Sequence, residues 1–292
     1  MLDHTSFIGR EKERSDIQQL LAQPHCRLLT LVGPGGIGKT RLALQLGTLL
    51  RDNFARGSFV AYLQPLRSAE FFVSAVADTL GISLTGQEPP LIQLAHYLSD
   101  KEMLIILDNF EHLLDAADQL AILLPSTPQI KYLITSREAL NLQEEWLYTV
   151  SGLAFPANSD SYLTGQNDDA VQLFNERARR VYPDFVPDSE IGAVIQICRL
   201  VGGMPLALEL AAAWRKTLNC AEIANEIEGG LAFLATRLRN VSERHYSIQT
   251  VIDQTWQRLD EREQAVFKRL SVFRGGFYRD AAFSLKGATL II

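Results

Sequence analysis

The residues Gly33-Pro34-Gly35-Gly36-Ile37-Gly38-Lys39-Thr40 satisfy the pattern G-x-x-x-x-G-K-S/T at every fixed position. That spacing serves one kind of chemistry, the holding of a phosphate chain. Glycines let the backbone curl until successive N–H groups face one point, and a following helix adds the partial positive charge of its first turn. Lys39 would reach the β- and γ-phosphates, and the Thr40 hydroxyl would ligate Mg²⁺. Leu104-Ile-Ile-Leu-Asp108 has the form of a buried strand whose last carboxylate emerges beside such a loop, where it can hold Mg²⁺ through water. Glu111, three residues on, is a candidate general base or a helix N-terminal charge, and Asn109 occupies the position directly after Asp108 where a catalytic Glu is often found. Leu133-Ile-Thr-Ser136-Arg137 is a third apolar run with a polar end. If its strand lies between the other two, Arg137 reaches the γ-phosphate, and a fixed guanidinium there distinguishes ATP from ADP.

These residues need a scaffold, and the first half of the chain supplies its pattern. Apolar runs at Leu28–Val32, Ser58–Leu63, Met103–Leu107, Lys131–Thr135 and Trp146–Val150 read as strands. Helical spacing occupies Arg41–Leu50, Ala69–Leu80, Leu91–Leu98 and His112–Leu124 between them. Such alternation implies an α/β fold with a mainly parallel sheet covered on both faces. After Val150 the composition changes. A polar, Gly- and Pro-containing stretch over 152–166 reads as a linker, and only helical periodicity follows to Leu238. One face of the first helix there carries Val171, Phe174 and Ala178, and one face of the second carries Ile191, Val194, Ile195 and Cys198. A helix is expected to start near Pro205 and another to cover Ala221–Ile227. Ser247–Leu259 and Asp260–Phe273 read as a last helix pair, with Asp260 and Glu263 spaced as a capping box.

The 292 residues fit about two domains. A formal charge of −6 argues against a protein that coats nucleic acid through its overall field. Arg237, Arg239, Arg244, Arg258, Arg262, Lys268, Arg269, Arg274 and Arg279 scatter over both helix faces, so DNA contact by this part of the chain is not expected. Cys26, Cys198 and Cys220 lack metal-ligand spacing and read as reduced thiols of a cytoplasmic protein. No apolar run approaches the roughly 20 residues of a membrane span.

Two further segments make the pattern specific. Phe7-Ile-Gly-Arg-Glu11 precedes the first strand, and Gly202-Gly-Met-Pro-Leu-Ala-Leu208 opens a helix in the helical region. Together with Thr135-Ser-Arg137, they make the chain resemble the STAND class of signalling ATPases, which contains AP-ATPases and NB-ARC proteins. In particular it is similar to the nucleotide-binding core of bacterial transcriptional regulators of that class. The resemblance implies a phosphate-loop NTPase domain over 1–155 with strand order 5-1-4-3-2, an all-α lid domain over 156–238 and an incomplete winged-helix domain over 239–292. It implies that Phe7, Ile8, Gly9 and Arg10 pack against adenine and ribose. The family's Gly-x-Pro motif falls on Gly203, Met204 and Pro205, so Met204, Pro205 and Leu206 approach the nucleotide from the lid. Arg41, next to Thr40, completes the expected contact set.

The implied function is an ATP/ADP-binding switch with slow Mg²⁺-dependent hydrolysis. An assembly-competent ATP form would allow self-association. Met1 lies close ahead of the first motif, so the family's N-terminal effector region is not expected in this chain, and neither is its C-terminal repeat sensor. A self-contained phosphotransferase or metabolic ATPase is the competing reading, and it requires an acceptor pocket with its own acid–base residues. His4, His25, His96, His112 and His245 form no paired constellation in the sequence.

Overall fold

A computed structural model describes residues 6–156, 168–234, 248–257 and 259–271. The apolar runs become five strands: β1 (Leu28–Val32), β2 (Ser58–Tyr62), β3 (Met103–Asp108), β4 (Ile130–Ser136) and β5 (Glu145–Thr149). β1, β3 and β4 are buried almost throughout, as interior strands of a parallel sheet must be. β2 and β5 are less buried because they are the edges. The order is β2-β3-β4-β1-β5 with every pairing parallel, which is the expected 5-1-4-3-2 read from the other edge. Register pairs Val32 with Ser136 and with Thr149, and Tyr62 with Asp108. All five carboxyl ends therefore open on one side of the sheet.

Period-two alternation divides the strand side chains between two cores. Leu28, Ile105, Leu107, Tyr132 and Ile134 pack with α3 (Phe72–Leu80), α4 (Pro90–Leu98) and α5 (Ala117–Ser126). Leu29, Leu31, Leu104, Ile106 and Leu133 pack with α1 (Glu11–Ala22) and α2 (Lys39–Leu49). The helix expected from His112 starts later. Two 3-10 turns, Phe110–His112 and Leu114–Ala116, come first. Asn109 leaves β3 in a left-handed step with φ 69°, and Leu113, with φ −123° and ψ 32°, interrupts helical geometry between the two turns.

Helices α6 (Asp169–Val181), α7 (Pro187–Leu200), α8 (Pro205–Ala213) and α9 (Cys220–Gly229) follow, with α6 against α8 and α7 against α9. Arg215 fastens them. Its guanidinium donates to Glu190 at 2.8 Å and faces the Phe185 ring at 4.9 Å, while Glu190 also accepts from the Cys220 amide at 2.7 Å. Gly203 joins this region to the chain leaving β5. Its φ is 65°, a Cβ there would collide with the Leu153 carbonyl, and its own carbonyl accepts from Leu153 N–H at 2.8 Å.

The chain forms two compact units, Met1–Gly230 and Leu231–Ile292. The first holds the sheet and α1–α9. In the second, α10 (Ile248–Trp256) and α11 (Glu261–Leu270) are joined by the Asp260/Glu263 capping box, and Trp256 meets Phe267 edge to face at 6.1 Å. Of the basic residues noted there, Arg262, Lys268 and Arg269 lie on α11. Arg237, Arg239, Arg244, Arg258, Arg274 and Arg279 lie outside the described residues, as do the polar stretch 157–167, His4 and His245 and the continuation of any winged helix beyond 271. Among the described residues no helix is long and apolar enough to cross a membrane.

One core position runs against the apolar pattern. Thr30 in the middle of β1 is fully buried, and its hydroxyl has no hydrogen-bond partner among the described residues. An unsatisfied buried hydroxyl costs about 1–3 kcal/mol. Thr30→Val, which keeps the shape and removes the hydroxyl, is expected to stabilise the protein by about 1 kcal/mol in urea unfolding.

Candidate phosphate and metal site

The loop Gly33–Thr40 leaves β1 at the sheet's carboxyl edge and enters α2 at Lys39. Gly36 and Gly38 have φ of 77° and 96°, left-handed values that turn the backbone back on itself. The first N–H groups of α2 and its positive pole face the concavity this makes. Lys39 is nearly buried. Its ammonium folds over the loop and donates to the carbonyls of Gly33 at 2.7 Å and Pro34 at 3.0 Å. A cation so placed adds its charge where a phosphate chain would lie.

Asp108 ends β3 and is 3% exposed. The Thr40 hydroxyl donates to its Oδ1 at 2.6 Å, and the Thr135 hydroxyl donates to the same oxygen at 2.7 Å. Thr135 in turn accepts the Asn109 N–H at 2.8 Å. Mg²⁺ favours one or two protein oxygens together with phosphate oxygens and water. A hydroxyl that donates its proton to Asp108 keeps its lone pairs for a cation. The Thr40–Asp108 pair therefore fits Mg²⁺ by the chemistry of its donors.

The same strand end holds other groups. Glu111 and Arg137 form an ion pair, Oε1 to Nε at 3.1 Å, with side chains 5% and 14% exposed. His112 Nε2 lies 3.0 Å from the Leu63 carbonyl, and Asn109 Nδ2 lies 3.2 Å from His112 Nδ1. A carbonyl only accepts, so the ring carries its proton on Nε2 and accepts at Nδ1. Tyr62 pairs with Asp108 across β2 and β3. Burial, with the Asp108 charge second, pushes its phenol above the ordinary value.

The amino-terminal motif reaches the loop through Arg10, which is 3% exposed. One guanidinium nitrogen donates to the Ile37 carbonyl at 2.7 Å and the Ser151 carbonyl at 2.9 Å, and the other donates to Glu13 at 2.9 Å. Burial lowers its pKa, opposed by Glu13 and then Asp169. The Arg10 N–H donates to Asp169 Oδ2 at 2.9 Å, in space that a side chain on Gly9 would fill. Phe7 packs beside the α1–α2 core with Met204, and Ile8 lies between Phe7 and Gly9, partly exposed.

From the helical region α8 meets the loop directly. Leu206 N–H donates to the Gly36 carbonyl at 3.3 Å, a Cβ on Gly36 would lie 3.0 Å from Leu206, and one on Gly38 would lie 3.7 Å from Pro205. Arg41 donates to the Ser6 carbonyl at 2.9 Å and pairs with Glu209 of α8 at 3.4 Å. Arg177 of α6 also donates to Glu209, at 3.0 Å. The sequence-predicted residues thus gather in two groups. The loop, Asp108, Glu111 and Arg137 lie at the strand ends, while Phe7–Arg10, Arg41 and Met204–Leu206 lie around the loop where the helical region meets it. Sequence reasoning missed the roles of Thr135, Ser151, Asp169, Arg177 and Glu209. Only for Thr135 was there a local signal, a polar residue closing an apolar run.

Known proteins resemble this chain in sequence and in fold. Residues 22–141 match the family described as an AAA domain. Over 280 residues the chain is 34% identical to the "Uncharacterized protein Rv0894" of Mycobacterium tuberculosis, covering 95% of this chain and 68% of that protein. It is 35% identical over 265 residues to the "Putative HTH-type transcriptional regulator Rv0890c" of the same organism, covering 89% of this chain but only 28% of that longer protein. Among solved structures, a Walker-type ATPase of Pyrococcus abyssi superposes with a TM-score of 0.55 at 14% identity, over 97% of this chain and 89% of that one, a likeness of fold. The chain carries an AAA-type P-loop domain and belongs to the same family as the Rv0894 protein, and its outer motifs resemble those of the STAND class.

Proposed function

We propose that the chain is an ATP/ADP-operated switch and the nucleotide-binding core of a cytoplasmic signalling ATPase that regulates transcription. In this reading 1–155 binds the nucleotide, 156–238 is the lid and 239–292 begins a winged helix. Gly33, Pro34, Gly35, Gly36, Ile37 and Gly38 cradle the phosphates by their backbone. Lys39 contacts the β- and γ-phosphates, and Thr40 with Asp108 holds Mg²⁺. Held there by Thr40 and Asp108, Mg²⁺ would offset the negative charge of the phosphates. Phe7, Ile8 and Gly9 line the adenine and ribose side, Arg10 fixes the loop from behind, and Arg41 borders it. Arg137 distinguishes ATP from ADP through the γ-phosphate.

The observation that carries the switch is the seat of α8 on the loop. Leu206 donates to Gly36, and Pro205 stands against Gly38. A change in loop occupancy is therefore felt by a helix of the proposed lid without any intermediary. The nucleotide can shift the balance of forms only by its differential affinity for them. Hydrolysis is slow in this reading because Asn109, not a carboxylate, follows Asp108. The ATP form is the one competent to self-associate.

Three measurements test it. Lys39→Ala is expected to weaken ADP binding in calorimetry by about 100-fold, the loss of one charge-assisted contact. Asp108→Ala is expected to remove most of the affinity gained on adding Mg²⁺, while affinity in EDTA stays near that of the parent protein. Small-angle scattering is expected to show different envelopes with ADP and with a non-hydrolysable ATP analogue; superimposable curves would remove the switch and leave only a nucleotide-binding domain.

A further inference from the structure

We infer that Glu111 is a positioning residue for Arg137, and thereby a determinant of ATP-over-ADP preference, rather than the base that activates water. The inference rests on the proposed role of Arg137 at the γ-phosphate. Its observation is separate: the carboxylate meets the guanidinium at Nε, 3.1 Å away, with both side chains withdrawn from solvent.

An arginine side chain has many rotamers, and holding one of them costs entropy. A carboxylate on Nε fixes the plane of the guanidinium, and with it the directions in which this planar group can meet a phosphate. The backbone fixes Glu111 in turn. Asn109 leaves β3 with φ 69°, held through its N–H by Thr135, and the 3-10 turn Phe110–His112 follows at once. Phe110, within that turn, is fully buried against Phe72 at 5.7 Å, so the turn has little freedom to move. Glu111 thus projects from a clamped turn onto a residue just past the end of β4. A general base has a different requirement. It must reach a water in line with the γ-phosphate, whereas Oε1 of Glu111 is directed at the Arg137 guanidinium.

Substitution separates the two roles because glutamine keeps an oxygen that can accept from Nε but cannot act as a base. The experiment uses the full chain and measures Kd for ADP and for the imidodiphosphate analogue of ATP, with single-turnover hydrolysis alongside. Arg137→Ala sets the reference loss of preference. Glu111→Ala is expected to lower the ATP-over-ADP preference about tenfold, with ADP affinity kept, and the double variant is expected to lose no more than Arg137→Ala alone. Glu111→Gln is expected to retain the preference within about threefold and to retain hydrolysis. Three results would overturn the inference: a Glu111→Ala protein with its preference intact, one that loses ADP binding equally, or a Glu111→Gln protein that keeps the preference but no longer hydrolyses ATP. Failure of the parent protein to bind either nucleotide, or an Arg137→Ala protein with unaltered preference, would instead remove the underlying assignment.

Discussion

One carboxylate oxygen, Asp108 Oδ1, accepts hydroxyl protons from Thr40 on α2 and from Thr135 on β4. It is the point where the helix after the phosphate loop is tied to the central strands. The sheet's parity makes that meeting unavoidable. Leu104 and Ile106 face α2, and two residues further along the same strand so does Asp108. Leu133 faces α2 as well, and Thr135 follows it at the same interval. A strand displaced by one residue would turn the carboxylate toward α3–α5 and dissolve the site. The alternation that fills the two cores is therefore also what aims the polar strand ends.

The loop is held from its other side by groups that come from far along the chain. Arg10 joins the Ile37 and Ser151 carbonyls, and its backbone is anchored by Asp169 at the start of α6. Burying a guanidinium is unfavourable unless its donors are matched, and here three of its contacts are to fixed acceptors. The helical region reaches the loop a second time through Leu206 and a third time through Glu209, which two arginines share. Burial lowers the Arg177 pKa while Glu209 opposes the shift, the signature of a cation kept charged by its partner. The phosphate loop is thus a node between the sheet and helices α6 and α8.

Much of this was legible in the sequence because its signals are local. The loop lies within eight consecutive positions, and all five strands appear where apolar runs predict them, with ends displaced by a residue or so. The sheet order agrees with the expectation drawn from the family likeness. The left-handed step at Asn109 was not visible, since asparagine tolerates that conformation without requiring it. Nor could the sequence show that Asp169 serves Arg10, a contact across 159 positions, because an acid in the first turn of a helix looks the same when it only offsets the dipole. Glu111 and Arg137 stood as separate candidates, and only the folding of β3 beside β4 makes them partners.

The two threonines on Asp108 differ in a way that bears on what the site can bind. Each hydroxyl has one proton and lone pairs to accept with. Thr135 uses both capacities within the protein, giving its proton to Asp108 and accepting from the Asn109 amide. It is closed, and its effect is to fix the carboxylate and the turn that follows. Thr40 gives its proton to the same oxygen but stands at the first turn of α2, where helix N–H groups and the Lys39 ammonium gather positive charge. An oxygen with lone pairs beside a carboxylate suits a small hard cation, and the surrounding positive groups make that cation welcome only when an anionic phosphate chain accompanies it. On the proposed reading metal and nucleotide would bind as a pair, and the coupling would follow from the hydroxyl that stands at the first turn of α2.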